Sequence, residues 1–298
     1  MQKLEYFVVD VFTDTVLQGN PLAVVINTCE LTVEQMQAIA REFHLSETTF
    51  IERRPSSVER SEGVRVRIFT TEEELNFAGH PTLGTATVLK QHAPETLDGD
   101  TLRLALNVGP VPVRFSGKAL FAEMKQPEPE FGAELDKAEV ARLTGLALDD
   151  LSPTLPPQAV STGTAFAIVP LASSHALERL RVNQQQATSW LRERGARWFY
   201  VLGPTGCRIG SPEPQWRARM QFYGGEDPAT GSAAGCAISH LVKYGAAPSG
   251  EKIHLRQGVE INRTSDLFLS AKTIDTRVTD VRVGGSTVFV AKGQLFLS

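Results

Sequence analysis

Three ionisable side chains stand where a chain can do proton chemistry: Glu47, His80 and Asp227. His80 opens His80-Pro81-Thr82-Leu83-Gly84-Thr85-Ala86, and Asp227 opens Asp227-Pro228-Ala229-Thr230-Gly231-Ser232-Ala233. Proline is favoured at the first helical position, because the N–H it lacks would be unpaired there anyway. Aspartate ahead of it is a good cap and histidine a poor one. Both segments therefore read as helix starts, where unpaired N–H groups and roughly half a positive charge suit an anion. A carboxylate held there would lie beside a group able to exchange a proton. An ordinary cap is the plainer reading of Asp227, less so of His80. Glu47, in His44-Leu45-Ser46-Glu47-Thr48-Thr49-Phe50, follows a capped helix and opens a strand. It can serve as a general acid or base if burial raises its pKa toward working pH. The pattern alone favours a solvent-facing strand start.

Other motifs lack their context. Gly203-Pro204-Thr205-Gly206-Cys207-Arg208-Ile209-Gly210 is glycine-rich, but Ser211-Pro212-Glu213-Pro214 follows it in place of the helix a dinucleotide site needs. Ser249-Gly250-Glu251-Lys252 matches a serine-hydrolase tetrapeptide without the accompanying elements. Cys236 and His240 are spaced to share one helix face, with no third metal ligand nearby in sequence. A core thiol beside a surface histidine is the expectation there.

The elements that must position these groups are mostly strands. Short runs rich in Val, Ile, Phe and Thr recur along the chain, among them 216–222, 277–283 and 286–291. Helices are fewer. Thr32 with Gln35 forms a capping box before Met36, Ile39, Ala40 and Phe43. Asp136 with Glu139 starts a helix ending near Gly145, and Asn183 with Gln186 starts one that Gly195 stops.

Internal similarity organises the whole. The His80 and Asp227 segments align at a separation of 147 residues. Val64-Arg65-Val66-Arg67-Ile68 aligns with Trp216-Arg217-Ala218-Arg219-Met220 at 152 residues. Gly19-Asn20-Pro21-Leu22-Ala23-Val24-Val25 aligns with Gly163-Thr164-Ala165-Phe166-Ala167-Ile168-Val169 at 144 residues. Three matches in one order imply two copies of a strand-rich unit. Each is built on a helix of small residues, 83–89 and 230–242, which should be buried and closely wrapped by strands. Gln126-Pro127-Glu128-Pro129-Glu130 is the natural linker.

Composition limits the partners. The 298 residues carry 30 Lys and Arg against 34 Asp and Glu, a net charge of −4 with no basic stripe for nucleic acid. Arg192, Arg194 and Arg197 cluster beside Glu193 and read as a solvated helix end. No apolar run approaches the roughly 18 residues of a membrane span. No signal peptide is visible, and Cys29, Cys207 and Cys236 suggest neither a disulfide framework nor a zinc site. The chain reads as cytoplasmic.

Leu17-Gln18-Gly19-Asn20-Pro21, Leu45-Ser46-Glu47-Thr48-Thr49-Phe50, Phe77-Ala78-Gly79-His80-Pro81 and Gly225-Glu226-Asp227-Pro228-Ala229-Thr230-Gly231-Ser232-Ala233-Ala234-Gly235 together resemble the PhzF (phenazine-biosynthesis isomerase-like) family. Arg256-Gln257-Gly258-Val259-Glu260 and Gly284-Gly285-Ser286 fit it as well. The resemblance runs in order over nearly the whole chain. It implies a diaminopimelate-epimerase-like α+β fold of two pseudo-symmetric domains, each a rolled, mostly antiparallel sheet around a central helix, with the active site between them. It also implies catalysis without metal or organic cofactor, with Glu47 as general acid/base and His80 and Asp227 assisting. Asn20, Gly79, Gly231 and Ser232 would bind the substrate. Two cysteines hold the helix-start positions in related epimerases and racemases; His80 and Asp227 stand there in this chain, which argues against two-thiol racemisation. Thr71 and Asn76 replace expected prolines in the loop before Phe77, a change in loop shape that bears on substrate fit.

The resulting expectation is an isomerase that moves a proton between carbons of a small carboxylate, such as an anthranilate-like ring. Its domains would be 1–125 and 126–285, with 286–298 docking back on the first. An amino-acid epimerase on the same fold and a non-catalytic metabolite-binding protein are the alternatives. Neither nucleic acid nor membrane is an expected partner, and a homodimer stays open.

Overall fold

The structure, a computed structural model, describes residues 2–116, 120–222 and 225–297. The chain divides into two compact units, Met1–Lys125 with Gly284–Ser298, and Gln126–Val283.

In the first unit, β1 (Gln2–Val11) and β2 (Asn20–Ile26) form an antiparallel pair. Helix α1 (Val33–Phe43) follows, opened by the reciprocal Thr32–Gln35 capping box and closed by His44 in the left-handed conformation. Met36, Ile39 and Ala40 on its inner face are buried. Then come β3 (Glu47–Glu52), α2 (Ser56–Glu62), β4 (Val64–Phe69), β5 (Glu74–Leu75), α3 (Gly79–His92), β6 (Thr101–Leu106), β7 (Gly109–Ser116) and β8 (Phe121–Lys125). Helix α2 carries no apolar stripe. Buried Glu59 holds it, receiving two hydrogen bonds from the Arg53 guanidinium and one from the Arg54 N–H.

In the second unit the chain runs through β9 (Glu130–Glu134), α4 (Lys137–Thr144), β10 (Gln158–Ser161), β11 (Ala165–Pro170) and α5 (Gln184–Glu193). It continues through β12 (Trp198–Pro204), β13 (Trp216–Arg219), β14 (Gln221–Phe222), β15 (Gly225–Glu226) and α6 (Gly231–Lys243). The last elements are β16 (Ile253–Gln257), β17 (Ser265–Ile274) and the long β18 (Arg277–Leu297). Asp136 and Asn183 cap α4 and α5 through their side chains.

The first unit's strand order is β1-β2-β3-β4-β6-β7-β8-β18, and β18 pairs back onto β1 from Thr287 to Leu297, so the sheet closes. The second runs β9-β10-β11-β12-β13-β16-β17-β18. Most pairings are antiparallel; β2–β3, β4–β6, β11–β12 and β13–β16 are parallel. Each unit is thus a rolled sheet about one helix, α3 or α6, buried through residues 79–89 and 231–242. Small side chains permit that closeness. A Cβ on Gly84 would come within 2.6 Å of the Leu22 side chain and 2.8 Å of Val11, and one on Gly235 would strike the Gln126 amide.

Four expectations need correction. The 216–222 run breaks at Met220 into β13 and β14. The runs 277–283 and 286–291 are one strand, β18. The stretch 126–130 is not a plain linker: Gln126 is buried, donates to the Gly231 carbonyl at 2.9 Å and accepts from Thr162 Oγ1 at 2.7 Å, and Glu130 already begins β9. The fourth concerns the helix starts. Gly79 and Gly231 are the first helical residues, with Ala78 and Thr230 as N-caps whose side chains make no capping hydrogen bond. His80 is therefore the second residue of α3, matched in α6 by Ser232, and Asp227 lies in the loop ahead of its helix.

Candidate active site

Parallel pairing of β2 with β3 brings their starts to one end of the sheet, with Glu47 opposite Leu22 and Asn20 two residues earlier. The N-terminal part of α3 lies there too, with its second turn tied to β3 by a 2.8 Å hydrogen bond between the Thr49 and Thr85 hydroxyls. The Asn20 amide nitrogen is 3.1 Å from His80 Nδ1, and His80 Nε2 is 3.5 Å from Glu47 Oε2. An amide N–H only donates, so Nδ1 is the acceptor and the imidazole proton sits on Nε2, facing Glu47. Burial, with only 3% of the side chain exposed, pushes the His80 pKa down to about 3. The ring is neutral at neutral pH, so its approach to Glu47 is not an ion pair, and at 3.5 Å Nε2 and Oε2 stand close without being hydrogen-bonded to each other. Glu47 is 16% exposed, so its carboxylate is largely buried but still reaches the surface.

In the second unit the Asp227 N–H donates to the Met220 carbonyl at 2.9 Å, and Thr230 Oγ1 donates to Asp227 Oδ2 at 2.7 Å. Gln257, fully buried at the end of β16, accepts from the Thr230 N–H at 3.1 Å and from the Tyr200 hydroxyl at 3.0 Å. Its Nε2 donates to the Asp227 carbonyl at 2.8 Å and to Thr230 Oγ1 at 3.0 Å. Burial, reinforced by the charge of Asp227, raises the Tyr200 pKa well above the ordinary phenol value, so Tyr200 stays a donor.

The loops leading to both helices are held alike. Arg67 grips Glu74 through two hydrogen bonds of 2.8 and 2.5 Å, and Arg219 grips Glu226 through two of 2.9 and 2.5 Å.

Comparison with known proteins agrees with this architecture. The family model for phenazine biosynthesis-like proteins, PhzC-PhzF, matches residues 9–293. The chain is 37% identical to a trans-2,3-dihydro-3-hydroxyanthranilate isomerase of Pseudomonas aeruginosa, over 98% of this chain and 99% of that one. It is 36% identical to an uncharacterized isomerase of Mesorhizobium japonicum over the full length of both. The crystal structure of a PhzF-family phenazine biosynthesis protein from Bacillus anthracis superposes with a TM-score of 0.85 at 25% identity, covering all of both chains. This chain belongs to the PhzC-PhzF family. It is a PhzF-like isomerase.

Within this family member, the structure brings Glu47, His80 and Asn20 together in the first unit and places Asp227, bonded to Thr230, in the loop just ahead of Gly231 and Ser232 in the second. Asn20, expected at the substrate, has its amide on His80. Gly79, Gly231 and Ser232 are buried in the first turns of their helices. Sequence reasoning gave no role to Thr230, Gln257 or Tyr200, nor to the two arginine–glutamate pairs. The one available signal was the Gln257-Gly258 pair at a strand end. His240, expected at the surface, is fully buried, with Nε2 2.8 Å from the Pro156 carbonyl. Cys236 is buried and packs on Thr162, and burial pushes its thiol up to about 12. Among the described residues, no group of three or more His, Cys, Asp or Glu is placed to hold a metal ion. Likewise, no helix is long and apolar enough to cross a membrane. Ser249, of the hydrolase-like tetrapeptide, accepts the Thr273 N–H at 2.8 Å as an ordinary turn residue.

Proposed function

We propose that this isomerase moves a proton between two carbons of a small cyclic carboxylate of the dihydro-hydroxyanthranilate type, with Glu47 as the proton carrier. The observation that carries the reading is the ordered chain Asn20–His80–Glu47 in a nearly dry setting. The Glu47 carboxylate takes a proton from an activated C–H; the electron pair left behind spreads into the conjugated ring; the Glu47 carboxyl, whose proton can exchange with solvent, then gives a proton to another carbon. The formula of the substrate is unchanged, as isomerisation requires. His80, with a pKa of about 3, is a poor proton store at neutral pH. Orienting Glu47 is the role its Nε2–H supports. Asp227 is assigned as the second acid/base group, and the N–H groups at Gly79, Gly231 and Ser232 as the holders of the substrate carboxylate and the developing negative charge. Kinship with a trans-2,3-dihydro-3-hydroxyanthranilate isomerase supports the substrate class.

The test is Glu47→Gln, which keeps size and polarity but exchanges no proton. With trans-2,3-dihydro-3-hydroxyanthranilate in D₂O, deuterium incorporation and turnover are expected to fall by about 10²–10⁴-fold, with affinity little changed. Wild-type exchange in the folded variant would move the chemistry away from Glu47.

A further inference from the structure

We infer that Gln257 and Thr230 are positioning residues for Asp227, a polarised relay that fixes which way the proton between Thr230 and Asp227 points. The inference rests on the acid/base role proposed for Asp227 and adds what makes that carboxylate competent. Its polarity follows from two groups without a choice. The Thr230 N–H can only donate, so the Gln257 atom 3.1 Å away is the amide oxygen. The Asp227 carbonyl can only accept, so the Gln257 atom 2.8 Å from it is the amide nitrogen. With the amide set, its nitrogen also donates to Thr230 Oγ1 at 3.0 Å. The hydroxyl, filled on its acceptor side, turns its own hydrogen to Asp227 Oδ2 at 2.7 Å. Asp227 must present that oxygen as an acceptor, in one rotamer.

Tyr200 completes the lock by donating to the second lone pair of the Gln257 oxygen. All four residues are at least nine-tenths buried, so water does not compete for these bonds and an unmade one is costly. Holding a reacting carboxylate through a second layer of this kind preserves the geometry that proton transfer requires. Neither Thr230 nor Gln257 need touch the substrate to do so.

The experiment is a mutant cycle in the full-length protein, assayed with trans-2,3-dihydro-3-hydroxyanthranilate. Thr230→Val keeps the shape and removes the hydroxyl; it is expected to lower kcat by about 10–100-fold, the scale of one hydrogen bond to a charged group, with KM little changed. Thr230→Ser, which restores the hydroxyl, should recover most of the loss. Gln257→Glu, which leaves the hydroxyl without its donor, should lower kcat as well. In an Asp227→Asn background, Thr230→Val should cost almost nothing further. A Thr230→Val protein with wild-type kcat while Asp227→Asn is crippled would overturn the relay. So would losses that multiply in the double variant, or a Thr230→Ser protein no better than Thr230→Val. If Asp227→Asn itself turns over normally, the role of Asp227 fails and the relay falls with it. Denaturant midpoints for each variant separate loss of positioning from loss of fold.

Discussion

The two central helices begin in surroundings built on one plan and finished differently. At the start of α3 the Asn20 amide sets the His80 tautomer, and His80 faces the Glu47 carboxylate at 3.5 Å. Ahead of α6 the Gln257 amide sets the Thr230 hydroxyl, which meets the Asp227 carboxylate at 2.7 Å. In both, a carboxamide fixes the proton on a middle group that addresses a carboxylate. In the first arrangement the imidazole stands 3.5 Å from the carboxylate, a looser approach than the second, which fits the proton-carrier role proposed for Glu47. The second is short and buried, as suits a fixed acceptor. The difference also shows how the repeat diverged. Arg67 and Arg219, Glu74 and Glu226, and Gly79 and Gly231 are each 152 residues apart, so the scaffold kept its register. His80 and Asp227 are 147 apart, so they are not equivalent positions. Similar chemistry was placed on different sides of the two helix starts.

The largest effect expected from breaking one side of this comparison is at Asn20. Asn20→Asp is nearly isosteric but offers only acceptors, which draws the imidazole proton to Nδ1 and turns the Nε2 lone pair toward Glu47 Oε2. Proton transfer should then fall by about 10²-fold or more, while the relay around Asp227 stays intact. Nitrogen-15 chemical shifts of His80 report the tautomer directly, and rates in D₂O report the consequence. An unchanged tautomer and an unchanged rate would show that Asn20 does not govern the first arrangement.

How much of this was legible in the sequence follows from the distance over which each feature is decided. The caps at Thr32, Asp136 and Asn183 involve partners three residues away, and local pattern found them. The buried bodies of α3 and α6 were legible in their small, uncharged residues, and the sequence matches pointed to the repeat. The one pairing His80 with Asp227, however, lies five residues out of the 152-residue register that the structure keeps. Helix α2 was not legible, because a buried Glu59 gripped by Arg53 replaces an apolar stripe. The Asp-Pro dipeptide is a strong local helix signal, yet Asp227 does not cap α6. Its backbone answers to Met220 and Gln257, and β15 and the four residues after it occupy the space before Gly231. Asn20 and His80 lie 60 residues apart, and Tyr200 and Gln257 lie 57 apart. Gln126 reaches 105 residues to Gly231. Nothing local marks such partners. The candidate acids and base were visible as residue types, whereas the groups that orient them emerge only from the fold.

The arginine–glutamate pairs sharpen the comparison in stability rather than rate. Arg219 and Glu226 are 6% and 7% exposed, and Arg219 also donates to the Leu177 carbonyl; Arg67 and Glu74 are 16% and 22% exposed. Removing one partner of a buried pair strands a charge and costs about 3–5 kcal/mol. A pair with more solvent is worth about 1 kcal/mol or less. Arg219→Met should therefore lower the urea-unfolding free energy by several kcal/mol, and Arg67→Met by roughly a third of that or less. Equal losses would mean that both loops are held with the same strength, and that the contrast between the two helix starts lies in the carboxylate clamps alone.

The smallest effect is in pH dependence, and here the two helices should behave alike. Burial lowers the pKa of His80, in the first turn of α3, from 6.5 to about 3, and that of His240, in the last turn of α6, from 6.5 to about 4. The unfolded chain binds these protons near pH 6.5 and the folded chain does not. Each histidine's share of stability is thus fully present above about pH 6.5. It is lost as the pH falls toward 4 for His240 and 3 for His80. Between pH 6 and 5, above the range of ordinary carboxylates, each should contribute a slope on the order of 1 kcal/mol per pH unit. His240→Gln keeps an N–H able to reach the Pro156 carbonyl and removes the titration, so its slope in that window should be about half that of the wild type. Denaturant midpoints at closely spaced pH values measure it. If the slope survives in His240→Gln, His240 takes up its proton without unfolding. The acid sensitivity then belongs to the first unit, where protonating His80 would set a second N–H against the Asn20 amide.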